Sequence, residues 1–297
     1  MHRIFYHKMD LDGKCSGAIA KIHFDELGEA CFLYPYNYDM RFPIEEINKE
    51  IDKIYFLDVS TNPYSIVEDL INNGYDVTIC DHHKSFLESG IPAKCKGNSY
   101  TEKAGCELTW QYFFPHDPCP EFVRLHGRYD MWDKYNVDWE TKILPFQYSM
   151  KNRDSDLIHS FEIWRKLWVD RYEERLVTRI MDEGEVILDY QRRMHKNFLY
   201  AYGFEAVLED YPDLRLICMN SPGGNSMMFD DQWDEEKHDA MFVWCQKGDN
   251  IVCSLYTTKP IDLTKIACAY GGGGHAQACG FSMKKISVEN GIIKLSK

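Results

Sequence analysis

Three short apolar runs near the start of the chain each end in a carboxylate or an imidazole, and this constrains the fold more than any other feature. Arg3–Tyr6 leads into His7-Lys8-Met9-Asp10-Leu11-Asp12-Gly13, Ile54–Leu57 into Asp58, and Asp76–Cys80 into Asp81-His82-His83. Short runs rich in Ile, Val, Phe and Tyr read as strands, and Ala30–Tyr34 reads as another. Between them Ser16–Leu27, Ile44–Ile51, Asn62–Asn72 and Gly105–Phe113 read as helices. In the third, Asn62 fits the N-cap, Pro63 the first helical position and Gly74 the exit. Such β-α-β alternation predicts an α/β domain with a parallel sheet and helices on both faces. Ligands of an open parallel sheet bind beyond the carboxyl ends of its strands, so the three clusters share one edge.

That much negative charge at one edge is costly unless a cation neutralises it. Mixed His and Asp donors without Cys suit Mn²⁺, Mg²⁺ or Fe²⁺, and zinc stays open on ligand type alone. Each piece has a plain alternative: His7 as a core histidine, Asp58 as a helix cap, Asp10–Gly13 as a turn. These alternatives would all have to hold together at three strand ends.

Further along, Phe161, Trp164, Trp168, Tyr172, Leu176 and Ile180 recur every three or four residues. That spacing predicts a long amphipathic helix, broken near Gly184, with the two tryptophans packing on its apolar stripe. After Gly203, Leu214–Met219, Met241–Gln246 and Ile251–Thr257 read as strands, Asp262–Ala269 as a short helix, and Phe281–Lys284 and Gly291–Leu295 as closing strands. The expected organisation is a catalytic domain over 1–155, a helical linker over 156–202 and a smaller α/β substrate domain over 203–297.

The 297 residues carry a formal charge of −13, which disfavours a long duplex DNA partner. No apolar run is long enough for a membrane span, and the N-terminus lacks a signal-peptide pattern. The eleven cysteines form no Cys-x-x-Cys pair, which favours free thiols and a cytoplasmic location over a disulfide framework.

Taken in order, these motifs resemble the DHH phosphoesterase superfamily with its C-terminal associated domain, and in particular its oligoribonucleases. The resemblance covers nearly the whole chain. It rests on His7–Gly13, Asp58, Asp81-His82-His83, Arg128-Tyr129-Asp130-Met131-Trp132, and Gly271-Gly272-Gly273-Gly274-His275 running into Phe281. It implies a phosphodiesterase with two divalent ions, most often Mn²⁺, and a water activated between them. By motif position, His7 and Asp10 would hold one ion, Asp12, His82 and Asp130 the other, and Asp58 both. His83 would contact the phosphate, and Asp81 would orient His82. Asp133 and Asp117 lie near enough to compete with Asp130 as the fourth motif. Gly272, Gly273, Gly274 and His275 would bind the far part of the substrate. Relatives often carry an arginine where Tyr256 stands, so Tyr256 is left to stack on a base or to pack within the sheet. Tyr34, Tyr36 and Tyr38 either line a cleft or belong to core.

The implied substrate is a short oligoribonucleotide or linear dinucleotide, cut to mononucleotides. Cyclic dinucleotides, nucleoside bisphosphates and polyphosphate are alternatives, as is a non-catalytic nucleotide-binding module. The sequence leaves a homodimer open.

Overall fold

The computed structural model describes residues 1–153 and 155–296. The chain divides into two compact units, Met1–Leu188 and Asp189–Lys297.

The first unit is built on four strands: β1 (His2–His7), β2 (Cys31–Tyr36), β3 (Lys53–Leu57) and β4 (Asp76–Cys80). They pair in the order β2-β1-β3-β4, all parallel. The register aligns Tyr6 with Leu57 and Leu57 with Cys80. The next residue of each strand, His7, Asp58 and Asp81, therefore falls at the same edge. Alternation sends Phe5, Phe56, Val77 and Ile79 into one buried cluster with Val67 and Leu70 of α2 (Ser65–Asn72). Tyr6 faces α1 (Leu11–Leu27), which lies close because residue 17 is glycine; a Cβ there would sit 2.8 Å from the Tyr6 ring.

The remaining helices of this unit are α3 (Lys84–Leu87), α4 (Gly105–Phe113), α5 (Glu121–Asp130), α6 (Leu144–Lys151) and α7 (Glu162–Val169), followed by α8 (Arg175–Tyr202). Trp164 and Trp168 are buried packing residues: their indole N–H groups donate to Ser155 O and Glu26 Oε1. All eleven cysteines are free thiols. Among the described residues, no helix is long and apolar enough to cross a membrane.

Three local expectations need correction. Ile44–Ile51 forms only a 3₁₀ turn, Ile44–Glu46. Beyond it Asp52 accepts from Asn48 N and the Asn48 side chain accepts from Glu50 N, so side chains take the backbone donors a helix would need. The third helix starts at Ser65, not at Asn62. The long helix breaks at Asp170–Glu174, where Glu174 has φ 57° and the Asp170 carboxylate accepts from Leu176 N. Gly184 instead lies inside α8, because the helix passes so close to α6 that a Cβ would sit 1.8 Å from Pro145 O.

The second unit has an eight-stranded mixed sheet. Its strands are β5 (Phe204–Leu208), β6 (Tyr211–Asn220), β7 (Ala240–Lys247), β8 (Asn250–Tyr256), β9 (Gly273–His275), β10 (Ala278–Met283), β11 (Lys285–Glu289) and β12 (Ile292–Ser296), in the order β11-β12-β5-β6-β7-β8-β10-β9. Helix α9 (Thr264–Ala269) contributes Ile266 and Ala267 to one core layer, and Leu199 of α8 packs with Ile217, Met241 and Phe229 in another.

Gly184→Ala is expected to cost about 1–3 kcal/mol through overpacking, although the same change in an open helix gains about 1 kcal/mol. A lowered urea midpoint checks this, and a raised one would mean that α8 does not approach α6 so closely.

Candidate metal centre

Three strand ends and two helix ends meet here. His7 closes β1, Asp10 and Asp12 stand at the start of α1, Asp58 follows β3, Asp81-His82-His83 follow β4, and Asp130 ends α5. Their donor atoms form three groups within which all atoms lie within 4.8 Å: His7, Asp10 and Asp58; Asp12, His82 and Asp130; and Asp58, His82 and His83. His82 Nε2 lies 3.2 Å from Asp130, 3.3 Å from Asp58 and 3.9 Å from Asp12. His7 Nδ1 lies 2.6 Å from Asp10 and 3.6 Å from Asp58.

The donor set fits divalent cations. His7 Nδ1 and Asp58 Oδ1 are buried and make no hydrogen bond, despite these short approaches. Lone pairs that converge without an aligned hydrogen are how the ligands of one ion meet. Asp58 is also held at φ 57°, a left-handed backbone that a side-chain-bearing residue adopts only when its surroundings enforce it.

Electrostatics point the same way. Burial opposes charge on His7, yet Asp10 and Asp58 outweigh it and push its pKa up to about 10. His82 is likewise buried and is raised to about 11 by Asp130, Asp58 and Asp12. Burial, then the charges of Asp58 and Asp130, push Asp12 well above the usual carboxylate range. Asp58 is buried too, but the imidazoles of His7 and His82 hold it below that range. Protons here take the place that cationic charge would fill.

The surrounding shell contains residues that the sequence did not reveal. Asp12 accepts from Gly105 N at 2.8 Å and Cys106 N at 2.9 Å, so the first turn of α4 fixes both its oxygens. Gly105 permits this because a Cβ there would lie 2.5 Å from Asp58 Cβ. Glu107, on the same turn, pairs with Arg128 of α5 and so ties the helix that ends in Asp130. The sequence signal was Gly-Cys-Glu at a helix start, unremarkable without knowing that Asp12 faces it.

Asp81 accepts from His83, not His82: its Oδ1 lies 2.6 Å from His83 Nδ1 and 3.0 Å from His83 N. The expectation that Asp81 orients His82 is therefore corrected; the ring of His82 turns into the carboxylates and leaves Asp81 to its neighbour. Asp133 is engaged elsewhere, 3.7 Å from Arg128 and accepting from Asn136. Tyr36 joins the core and Tyr34 and Tyr38 pack against it; the Tyr38 ring also lies 5.8 Å from that of His7 and 6.0 Å from that of His83.

In the second unit, Gly273, Gly274 and His275 form the exposed edge strand β9. A Cβ on Gly272 would lie 2.0 Å from Gly280 O, so the glycine run is also required by strand packing. His275 pairs with Ala278 and Ala278 with Tyr256, which places His275 and Tyr256 in one row across the sheet. Tyr256 packs against the Ile217 and Met241 layer.

Two outcomes follow. Gly105→Ala should weaken divalent-ion binding by about 10–100-fold, the usual cost of disturbing a ligand's support; calorimetry on a variant with unchanged circular dichroism checks it. In the ion-free protein, the raised pKa values of His7 and His82 stabilise the fold fully below about pH 6.5. That contribution should fade as pH climbs toward 10 and 11. Urea unfolding in chelator should therefore show a loss of stability over this range that added divalent ions suppress.

No protein-family model matches the chain. Over 257 residues it is 26% identical to the uncharacterised protein R106 of Acanthamoeba polyphaga mimivirus, covering 82% of this chain and 56% of that protein. The chain thus spans little more than half of that relative. Over 305 residues it is 24% identical to oligoribonuclease NrnB of Bacillus subtilis (strain 168), covering 95% of this chain and 73% of that protein. Its fold is similar to the pGpG-specific phosphodiesterase PggH of Vibrio cholerae, with a TM-score of 0.55 at 13% identity, covering 95% and 93% of the two chains. The fold is thus shared over nearly the whole length of that phosphodiesterase, and Asp81-His82-His83 stand at the carboxyl end of the fourth strand of the parallel sheet.

Proposed function

We propose that this protein is a metal-dependent phosphodiesterase that hydrolyses short oligoribonucleotides or linear dinucleotides to mononucleotides. The observation that carries this reading is the convergence of two donor groups, His7-Asp10-Asp58 and Asp12-His82-Asp130, linked by the 3.3 Å approach of Asp58 to His82. His7, Asp10 and Asp58 would hold one ion, and Asp12, His82 and Asp130 the other, with Asp58 reaching both. Mn²⁺ is the favoured ion, given imidazole and carboxylate donors together. When bound, such ions supply Lewis-acid charge and lower the pKa of water.

The chain's own residues do the rest. Asp81 fixes the His83 ring through Nδ1, and its charge favours the protonated imidazole against burial. The Nε2–H of that ring is then left to donate to a phosphate oxygen. The main-chain donors of Gly105 and Cys106 keep Asp12 in one orientation without reorganisation. In the second unit, Gly272–Gly274, His275 and Tyr256 are the proposed holders of the far part of the substrate; His275 is an exposed imidazole and Tyr256 shares its row. The similarity to NrnB and to PggH supports a short nucleotide substrate over polyphosphate.

The test is turnover of a two-nucleotide RNA with Mn²⁺, beside cyclic dinucleotide, nucleoside bisphosphate and polyphosphate. The linear dinucleotide should be cut fastest; polyphosphate hydrolysed in its place would overturn the substrate assignment. Asp130→Asn should lower kcat at least 100-fold, because an amide lacks the charge to balance a dication, while Asp133→Asn should stay within threefold. The reverse order of damage would move the fourth ligand to Asp133.

A further inference from the structure

Three tyrosines at and just beyond the end of β2 use their hydroxyls differently. Tyr34 accepts from Arg3 Nη1 at 2.7 Å, and Tyr36 donates to Met40 O at 2.9 Å. Among the described residues the Tyr38 hydroxyl has no hydrogen-bond partner. Its ring is nevertheless held from two sides, with its centroid 5.8 Å from that of His7 and 6.0 Å from that of His83. The His7 and His83 rings stand edge to face at 6.4 Å, so the three rings fix one another. His83 is also anchored by Asp81, 2.6 Å from its Nδ1.

Packing accounts for the Tyr38 ring but not for its oxygen. The residue rests against the core cluster that contains Phe5 and Tyr36, where a phenylalanine would fit as well. Half-burial also strips part of the water from the hydroxyl, a cost that an unused polar group does not recover. Burial, and then the charges of Asp81 and Asp58, push the phenol's pKa up, which sets its oxygen on the cluster side of the ring. A protonated phenol is a neutral donor. Beside imidazoles at a carboxylate-rich edge it can serve an anion without adding a positive charge that would compete with divalent ions for those carboxylates.

We propose that Tyr38 is a catalytic residue, whose hydroxyl donates to a non-bridging oxygen of the phosphate that is cut, beside the donor supplied by His83. The proposal rests on the phosphodiesterase reading above and deepens it. Charge on the equatorial phosphoryl oxygens changes as the bond breaks, and a donor already in place needs no reorganisation to follow it.

The test compares wild type, Tyr38→Phe and Tyr38→Leu on a two-nucleotide RNA with Mn²⁺. Tyr38→Phe keeps the ring and loses only the donor, so kcat should fall about 100-fold, the usual cost of removing one such donor. Wild-type kcat in Tyr38→Phe overturns the proposal even if Tyr38→Leu is slow, because the ring would then serve packing alone. Mn²⁺ binding, followed by calorimetry, should be unchanged in Tyr38→Phe; a matching loss of ion affinity overturns the proposal, since Tyr38 would then act through His7. The two phosphorothioate diastereomers of the same RNA give a readout that a structural role would not move. Sulfur is the poorer acceptor, so wild type should cut the isomer with sulfur toward Tyr38 more slowly, and this difference should shrink at least threefold in Tyr38→Phe. An unchanged ratio overturns the contact. A binding measurement separates the contact from the nuclease reading. In Ca²⁺, inorganic phosphate should bind Tyr38→Phe at least fivefold more weakly than wild type. If wild type cuts no RNA but this loss appears, the nuclease reading fails and the contact stands. If RNA is cut but Tyr38→Phe matches wild type in kcat and in phosphate binding, only the contact fails.

Discussion

Everything at the strand ends depends on the crowding of Asp10, Asp12, Asp58 and Asp130 around two imidazoles. Like charges at this spacing repel, and burial of Asp12 and Asp58 removes the water that would screen them. A fold that tolerates this must hold the carboxylates by force elsewhere. The sheet register supplies part of it, because β1 ends on His7 while β3 and β4 stop one residue short of Asp58 and Asp81. The first turn of α4 supplies more, through two main-chain donors on Asp12. The Glu107–Arg128 pair then carries the constraint to α5 and Asp130. The repulsion left over is what a pair of dications would relieve.

Much of this was legible in the sequence, for a physical reason. A parallel strand buried on both faces reads as a short apolar run, and the first polar residue after it marks the ligand-bearing edge. His7, Asp58 and Asp81-His82-His83 announce themselves in this way. Asp130 was harder, since it ends a helix and competes with Asp133 three residues on. Only the packing of α5 decides which of the two meets His82.

What could not be read was support rather than ligand. Gly105 and Cys106 act through backbone N–H groups, which every residue but proline has, so their side chains carry no signal. The pairing of Asp81 with His83 depends on one ring rotation after β4, which composition does not encode. Ile44–Ile51 has helical spacing, yet Asn48 and Asp52 divert its backbone donors. The glycine run invited a purely ligand-binding explanation, although β9 needs Gly272 merely to pass Gly280.

The seven cluster residues from His7 to His83, and Asp130 with them, all belong to the unit that ends at Leu188, whereas His275 follows much later in the chain. During synthesis the first unit therefore emerges whole before the glycine strand exists. At ordinary elongation rates the remainder takes roughly 5–20 s, which is long for domain folding. Over that interval a nascent chain already presents both donor groups to the ions of its surroundings. Any ion that those donors take up would then be met before Gly273–His275 are made.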